Sequence, residues 1–184
     1  MENSSGTRIK IISAVYGAGT DSTVMNVTLF VQQLVNEGVF DITASNKTFG
    51  KDPAPHKQKM FGVLYHSPEL NKGHPIALGC FENKSVHLLG KDVWSSEQNT
   101  LPSTTDLTVQ GATYSGSSHG QNVTAMVQAF INLGNLAIPV NNSVFGPDPL
   151  PHETKVFSII YKNNATGTVL AATAQENSTI ILPL

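Results

Sequence analysis

An acid, an imidazole and an amine recur together on two short, proline-stiffened stretches of this sequence. The pattern Asp-Pro-x-Pro-His-x-x-Lys occupies Asp52–Lys59 and again Asp148–Lys155. Such a set could hydrogen-bond a sugar or a small anion, and prolines lower the entropic cost of holding a loop in its binding form. The alternative is a structural turn, in which the aspartate accepts backbone N–H bonds and the prolines set the path of the chain. The candidate ligand-binding residues are Asp52, His56, Lys59, Asp148, His152 and Lys155.

Two tyrosines that recur upstream of these loops, Tyr16 and Tyr114, extend the candidate site. Aromatic rings stack on the apolar faces of sugars, although a tyrosine in a strand is also common at the edge of a core with its hydroxyl hydrogen-bonded. His56 and His152 have no second histidine or cysteine at a ligand spacing, so no metal site is predicted. Nucleotide-binding and nucleophile motifs are absent from the sequence as well. The sequence therefore predicts no enzyme, no cofactor and no metal.

The loops belong to a longer internal repeat. Asn26–Tyr65 aligns with Asn122–Tyr161 without a gap, at an offset of 96 residues, and eighteen of the forty positions are identical. Self-similarity of this kind predicts a duplicated structural unit. The match continues upstream and downstream, from Ser13–Gly19 to Gly111–Ser117 and from Glu82–Ser85 to Glu176–Thr179. We divide the chain into unit 1 (8–89), a linker without a counterpart (90–105) and unit 2 (106–184).

Short β-branched segments at turn spacings fill each unit. Ile9–Gly17, Val39–Ser45 and Lys59–His66 are predicted strands of unit 1, and similar segments follow in unit 2. Val24–Gly38 fits either an amphipathic helix or a strand with a bulge, and we favour the strand. Phe49–Lys59 is predicted to be a fixed loop. The fold prediction is all-β, with two homologous antiparallel β-sandwich-like units in pseudo-twofold tandem.

Composition excludes several classes of partner. Charged residues make up only 13% of the chain and the net charge is −2, so the basic stripe that nucleic-acid binding requires is missing. The sequence has no apolar run of about 18 residues, so no transmembrane segment is predicted. The polar N-terminus does not indicate a secretory signal, and the lone Cys80 fits a reducing compartment. We therefore expect a cytoplasmic protein whose Asn, Ser, Thr and Gly surface suits neutral polar ligands.

A set of spaced residues in unit 1 resembles a known domain. The set is Ala14-x-Tyr16-Gly17, Val27-Thr28, Val31-Gln32-x-Leu34-Val35, Asp52-Pro53 and Lys59-x-Phe61-x-Val63-x-Tyr65. This order is similar to the C-terminal domain of unknown function that follows the J-domain in a mitochondrial DnaJ-like family. The resemblance implies a β-rich module that mediates interactions and brings no catalytic residues. The sequence has no His-Pro-Asp tripeptide, so co-chaperone activity is not implied, and Tyr114-Ser115 replaces Tyr-Gly in unit 2.

Two functions follow as expectations. The first is a non-enzymatic, lectin-like protein that binds neutral glycans with one site per unit, where linked sites gain avidity. In style the chain is similar to cytosolic fungal lectins. The alternative is a protein–protein interaction or assembly module, which would expose an apolar patch or a free sheet edge. Either function is compatible with a homo-oligomer.

Overall fold

The computed structural model describes residues 9–90, 93–96 and 101–183. The described part of the chain is mostly strands (41%) with few helices (19%), which confirms the β-rich prediction. The strand pairs are antiparallel except for one short parallel pair. No helix among these residues is long and apolar enough to cross a membrane.

Unit 1 begins with a long strand and ends with a short one, and two helices lie between them. Its strands are β1 (Lys10–Gly17), β2 (Gly19–Thr20), β3 (Val24–Asn26), β4 (Asp41–Thr43), β5 (Met60–His66), β6 (Ile76–Phe81) and β7 (Ser85–His87). Its helices are α1 (Thr28–Asn36) and the single turn α2 (Asn46–Phe49), and 3-10 turns cover Asp21–Thr23 and Asn71–Gly73.

Unit 2 follows after a short strand in the linker, β8 (Trp94–Ser96). Its strands are β9 (Leu107–Ser115), β10 (His119–Asn122), β11 (Ala137–Val140), β12 (Val156–Asn163), β13 (Val169–Gln175) and β14 (Ser178–Ile181). Its helices are α3 (Thr124–Asn132) and α4 (Asn142–Phe145). From β3 and β10 onward, helices and strands follow one another in the same order in the two units.

The strand prediction for Val24–Gly38 is wrong over most of its length, because Thr28–Asn36 forms α1. Val27, Val31 and Val35 recur every four residues and are buried on one face of the helix. The apolar residues Leu29 and Phe30 lie off that face, and together with the β-branched valines they obscured the helical period in the sequence. Unit 2 also forms a helix at this place, α3, with Val127 and Ile131 buried on one face.

Two recurring polar residues attach each helix to the neighbouring strand. The Thr28 hydroxyl accepts a hydrogen bond from the Ala14 N–H at 2.9 Å. Gln32 accepts from the Ile11 N–H at 2.8 Å and donates to the Ile9 carbonyl at 3.1 Å. In unit 2, Thr124 and Gln128 make the equivalent bonds to β9. The repeated Val-Thr and Gln positions are therefore explained by the satisfaction of buried backbone groups.

The strands form two large sheets and two small ones. The four-stranded sheet has the order β3-β1-β5-β6, and the six-stranded sheet the order β2-β13-β12-β9-β10-β8. The pairs β4–β7 and β11–β14 form the small sheets. In unit 1 a core around Tyr16, Phe61 and Tyr65 lies between the four-stranded sheet, α1 and the small sheet, and unit 2 has a matching core around Tyr114, Phe157 and Tyr161.

The two large sheets pack against each other between the units, through small and hydroxyl side chains. A Cβ on Gly62 would overlap the Ser158 side chain, and one on Gly111 would overlap Ser13. In the sequence alignment Gly62 is equivalent to Ser158, and Ser13 to Gly111. Equivalent positions thus meet across the interface, with a serine on one side and a glycine on the other.

Hydrogen bonds also join the units. The Gly79 N–H donates to the Gly116 carbonyl at 2.8 Å, and the Thr173 hydroxyl donates to the Gly17 carbonyl at 3.0 Å. Strand β2 of unit 1 adds to the edge of the six-stranded sheet beside β13. The predicted linker is not structureless, because its strand β8 runs parallel to β10 at the other edge of that sheet.

Candidate functional site

Three of the four predicted site residues of unit 1 belong to one hydrogen-bonded network. The Lys59 Nζ lies 2.9 Å from Glu82 Oε1 and 3.3 Å from Asp52 Oδ1. The Tyr16 hydroxyl lies 2.8 Å from Asn46 Oδ1 and 3.2 Å from Glu82 Oε1. Lys59 and Tyr16 are both buried, whereas the Asp52 side chain is 36% exposed. The ammonium, the carboxylates and the phenol are therefore directed at one another.

Unit 2 contains the same network, in which the lysine–glutamate contact is longer and the other three contacts are shorter. The Lys155 Nζ lies 2.8 Å from Asp148 Oδ1 and 3.1 Å from Glu176 Oε2. The Tyr114 hydroxyl lies 2.7 Å from both Glu176 Oε1 and Asn142 Oδ1. The Asn142 side-chain amide also donates to Asp148 Oδ2 at 3.3 Å. Each acceptor and donor of this set has at least one partner, as buried polar groups require.

The electrostatics follow from this pairing. Burial acts to lower the pKa of Lys59 and of Lys155, but hydrogen bonds and charges from the neighbouring carboxylates outweigh it, so both pKa values are raised. Burial, together with the nearby Glu82 or Glu176, raises the pKa of Tyr16 and of Tyr114. Both lysines therefore stay charged and both tyrosines stay neutral at physiological pH.

The loop that carries His56 has a defined path. The Asp52 carboxylate accepts a hydrogen bond from the Ala54 N–H at 3.1 Å, which closes the turn, and the Lys57 N–H donates to the Ala54 carbonyl at 3.1 Å. His56 follows with a φ of 64°, and its counterpart His152 has a φ of 71°. Both imidazoles are exposed. Of the eight predicted residues, the two histidines are the ones that present their side chains mainly to solvent.

Sequence reasoning missed four members of the networks: Glu82, Glu176, Asn46 and Asn142. Each is identical between the two copies, and Glu82-Asn83 and Glu176-Asn177 were visible as a repeated pair. The glutamates lie at the ends of β6 and β13, where they also accept hydrogen bonds from the backbone N–H groups of Lys59 and Lys155. The identity of these four residues between the two copies was the signal in the sequence. It indicated that they share a role with the other repeated polar residues, above all the lysines.

Two of the surface hollows that the described residues form lie where the units meet. The first, which we name the α1 groove, has a volume of about 550 Å³. It is lined by Ile12, Asn26, Thr28, Leu29, Phe30, Gln110 and Ile160. The second, which we name the inter-unit cleft, has a volume of about 440 Å³. It is lined by Cys80, Phe81, Lys84, Ser85, Ser117, His152, Glu153 and Thr154. Of the predicted site residues, His152 alone lines either hollow.

Cys80, the single cysteine of the chain, is buried. Burial, with a further contribution from the charge of Glu153, raises the pKa of the Cys80 thiol to about 12. The thiol is therefore protonated at neutral pH, and the thiolate is the nucleophilic form. Within the described part of the chain, no group of three His, Cys, Asp or Glu side chains is arranged to hold a metal ion.

Comparison with protein-family models, with curated proteins and with solved structures finds no match to this chain.

Proposed function

We propose that this chain is a non-enzymatic protein-interaction module that binds an apolar segment of another protein in the α1 groove. The observation that carries the proposal is the exposure of Leu29, at 86%, beside Phe30, at 40%. Both side chains line the same concave surface with Ile12 and Ile160. Large apolar side chains gathered at a hollow with a polar margin are typical of interaction sites.

The fold does not need Leu29 at the surface of α1, whereas the Phe30 ring also meets the core residue Phe49 edge-on, with ring centroids 6.0 Å apart. The buried side of the helix is supplied by Val31 and Val35, which are 0% and 3% exposed. The equivalent positions of α3 hold Ala125 and Met126, so the corresponding helix of unit 2 forms with a smaller or more flexible residue there. A leucine that the fold does not require, placed with Phe30 and Ile160 at one hollow, supports contact with a partner.

The architecture and setting belong to the same proposal. We infer two homologous units related by a pseudo-twofold axis, which is supported by the sequence repeat and by the shared order of elements. The resemblance to the C-terminal domain of the DnaJ-like family supports an interaction role. A cytoplasmic location is supported by the single unpaired cysteine.

The test compares two equally simple surface variants, Leu29→Glu and the matched control Leu133→Glu. Leu133 is 78% exposed and lies in unit 2, away from the residues of the groove. Tagged wild type and both variants are used for quantitative crosslinking and capture from the source cells, and any captured protein is then purified and titrated directly. We expect Leu29→Glu to abolish one defined interaction that Leu133→Glu retains.

Two outcomes contradict the α1 groove as the contact surface, and a third contradicts another protein as its occupant. If Leu29→Glu retains every interaction, the groove is excluded as the contact surface. If Leu133→Glu alone loses the interaction, the contact surface lies in unit 2. Concentration-dependent self-association in analytical ultracentrifugation, lost in Leu29→Glu, would make the occupant a second copy of the chain.

A second candidate is the glycan-binding function, with one site at the tip of each repeated loop. It is favoured by the two histidines, which are exposed in the same backbone conformation in both units. A glycan array compares the wild type with His56→Ala/His152→Ala. Saturable binding to a related set of glycans that the double variant loses would support this function, and an empty array would remove it.

A further inference from the structure

The inter-unit cleft lies between the β6–β7 turn of unit 1 and the loop of unit 2 that ends at Lys155. Its volume of about 440 Å³ is in the range of small-molecule sites. The unit 1 side contributes Cys80, Phe81 and Lys84, and the unit 2 side contributes Ser117 and Glu153. A ligand in this cleft would therefore contact both units.

The two sides of the cleft carry opposite charges that do not neutralise each other. Lys84 is exposed and makes no ion pair with any described residue. The Glu153 carboxylate has no cation partner among those residues either, and it is held by the Ser117 N–H at 2.8 Å and the Ser117 hydroxyl at 3.2 Å. A carboxylate offers about four lone-pair positions, so acceptor capacity remains on Glu153.

The other lining residues of the cleft are Cys80, Phe81, Ser85, Thr154 and the exposed His152. The Cys80 thiol is buried and protonated, and the half-buried Phe81 lines the cleft. The Phe81 ring suits an apolar side chain of a ligand. The lining thus combines one cation, one positioned anion, an aromatic ring and the His152 imidazole.

The repeat shows that the fold does not require this charge pair. The residue equivalent to Glu153 is Lys57, and the residue equivalent to Lys84 is Ser178. Ser117, which positions the carboxylate, is replaced by Gly19. The opposite charges therefore occur at only one of the two equivalent places.

We propose that the inter-unit cleft binds a small zwitterion, namely a free amino acid with an apolar side chain. Lys84 binds its carboxylate, Glu153 binds its ammonium group, and Phe81 contacts its side chain. Charge-assisted hydrogen bonds at both ends of the ligand give the site its selectivity for a molecule that carries both charges.

The test titrates L-phenylalanine, L-leucine and L-methionine into the ¹⁵N-labelled full chain, followed by calorimetry for any amino acid that binds. N-acetyl-L-phenylalanine and L-phenylalanine amide each lack one charge of the zwitterion. We expect backbone signals of Lys84, Ser117 and Glu153 to shift with at least one amino acid. Each single-charge analogue should bind at least about tenfold more weakly, since a charge-assisted bond is lost.

Variants of the protein separate the site from a general surface effect. Lys84→Gln and Glu153→Gln should each weaken binding by about tenfold or more, and the repeat-equivalent control Lys57→Gln should leave it unchanged. The amide oxygen introduced by Glu153→Gln can still accept from the Ser117 N–H, and a thermal melt checks that the loop is kept. If Glu153→Gln lowers the melting temperature, Lys84→Gln decides, because its side chain makes no ion pair with the described residues. Absence of shifts at millimolar amino acid, or equal binding by Lys84→Gln and wild type, would overturn the proposal.

Discussion

Units 1 and 2 are most alike where they are buried and least alike where they meet solvent. The Tyr–Glu–Lys–Asp–Asn network has the same residue types and partners in both units. At the surface, Leu29 and Phe30 of unit 1 correspond to Ala125 and Met126 of unit 2.

At a second set of surface positions, unit 1 has polar residues and unit 2 has apolar ones. Glu37, Asp41 and His87 of unit 1 correspond to Leu133, Ala137 and Ile181 of unit 2. The Asp41 carboxylate and the His87 Nδ1 lie 2.5 Å apart on exposed neighbouring strands, whereas Ile181 is 69% exposed beside Ala137. The shared interior maintains the fold, and the different exteriors are where binding properties can diverge.

The largest effect is expected from removing the buried ammonium of a network. Lys155→Met leaves Glu176 and Asp148 without their cation, and breaking a buried pair in this way costs roughly 3 kcal/mol of unfolding free energy. Lys59→Met should cost less, because the carboxylates it leaves unpaired are more exposed: 36% for Asp52 and 17% for Glu82, against 31% for Asp148 and 10% for Glu176. Urea unfolding of both variants measures the difference. Unchanged stability in both would mean that the networks do not hold the fold.

A smaller loss is expected when the two sides of the inter-unit interface are made identical. Gly62→Ser places a serine against Ser158, its own equivalent, and overpacking of this kind costs roughly 2 kcal/mol. The double variant Gly62→Ser/Ser158→Gly exchanges the two residues and should recover most of the loss. Failure of the second substitution to restore stability would contradict the pairing of equivalent positions.

Acid is expected to weaken unit 2 by a smaller amount. Burial acts to raise the pKa of Asp148 and of Glu176, but hydrogen bonds from Lys155, and from Tyr114 to Glu176, outweigh it, so both pKa values lie below the ordinary 3.8 and 4.5. The unfolded chain therefore takes up protons first as the pH falls. Stability from these carboxyls is complete above the ordinary values and is lost as the pH falls through the lowered ones.

Urea unfolding across this range measures the effect. The free energy of unfolding of the wild type should decline below about pH 4.5, near the ordinary value of Glu176, and Lys155→Met should show a shallower decline. Parallel pH profiles for the two proteins would show that Lys155 does not set these pKa values.

The smallest effect is expected at the exposed histidines. His56→Ala and His152→Ala remove side chains that the fold leaves in solvent, so each should change stability by no more than about 0.5 kcal/mol. The contrast with Lys59→Met and Lys155→Met in the same loops is measured in the same denaturation series. A large loss from either histidine would give the imidazole a structural role that its exposure does not suggest.

The sequence predicted most strands because β-branched residues and turn signals act locally, as in Ile9–Gly17 and Lys59–His66. It did not predict α1, since the choice between helix and strand at Val27–Val35 depends on packing against β1 through Gln32. The loop Asp52–Lys59 was found, but its lysine faces a glutamate 23 residues further along the chain. A pairing of that kind is set by the strand register between β5 and β6, which no local pattern specifies.

The most direct test of the buried interior is the ionisation of the tyrosines. All four tyrosines of the chain, Tyr16, Tyr65, Tyr114 and Tyr161, have pKa values raised by burial. A spectrophotometric pH titration of the folded protein, with circular dichroism recorded in parallel, should show no phenolate near the ordinary value of about 10. Any ionisation should coincide with unfolding. A phenolate that forms near pH 10 in the folded chain, and is lost in Tyr16→Phe or Tyr114→Phe, would contradict the account, because the repeated tyrosine would then face solvent and be free to bind a ligand.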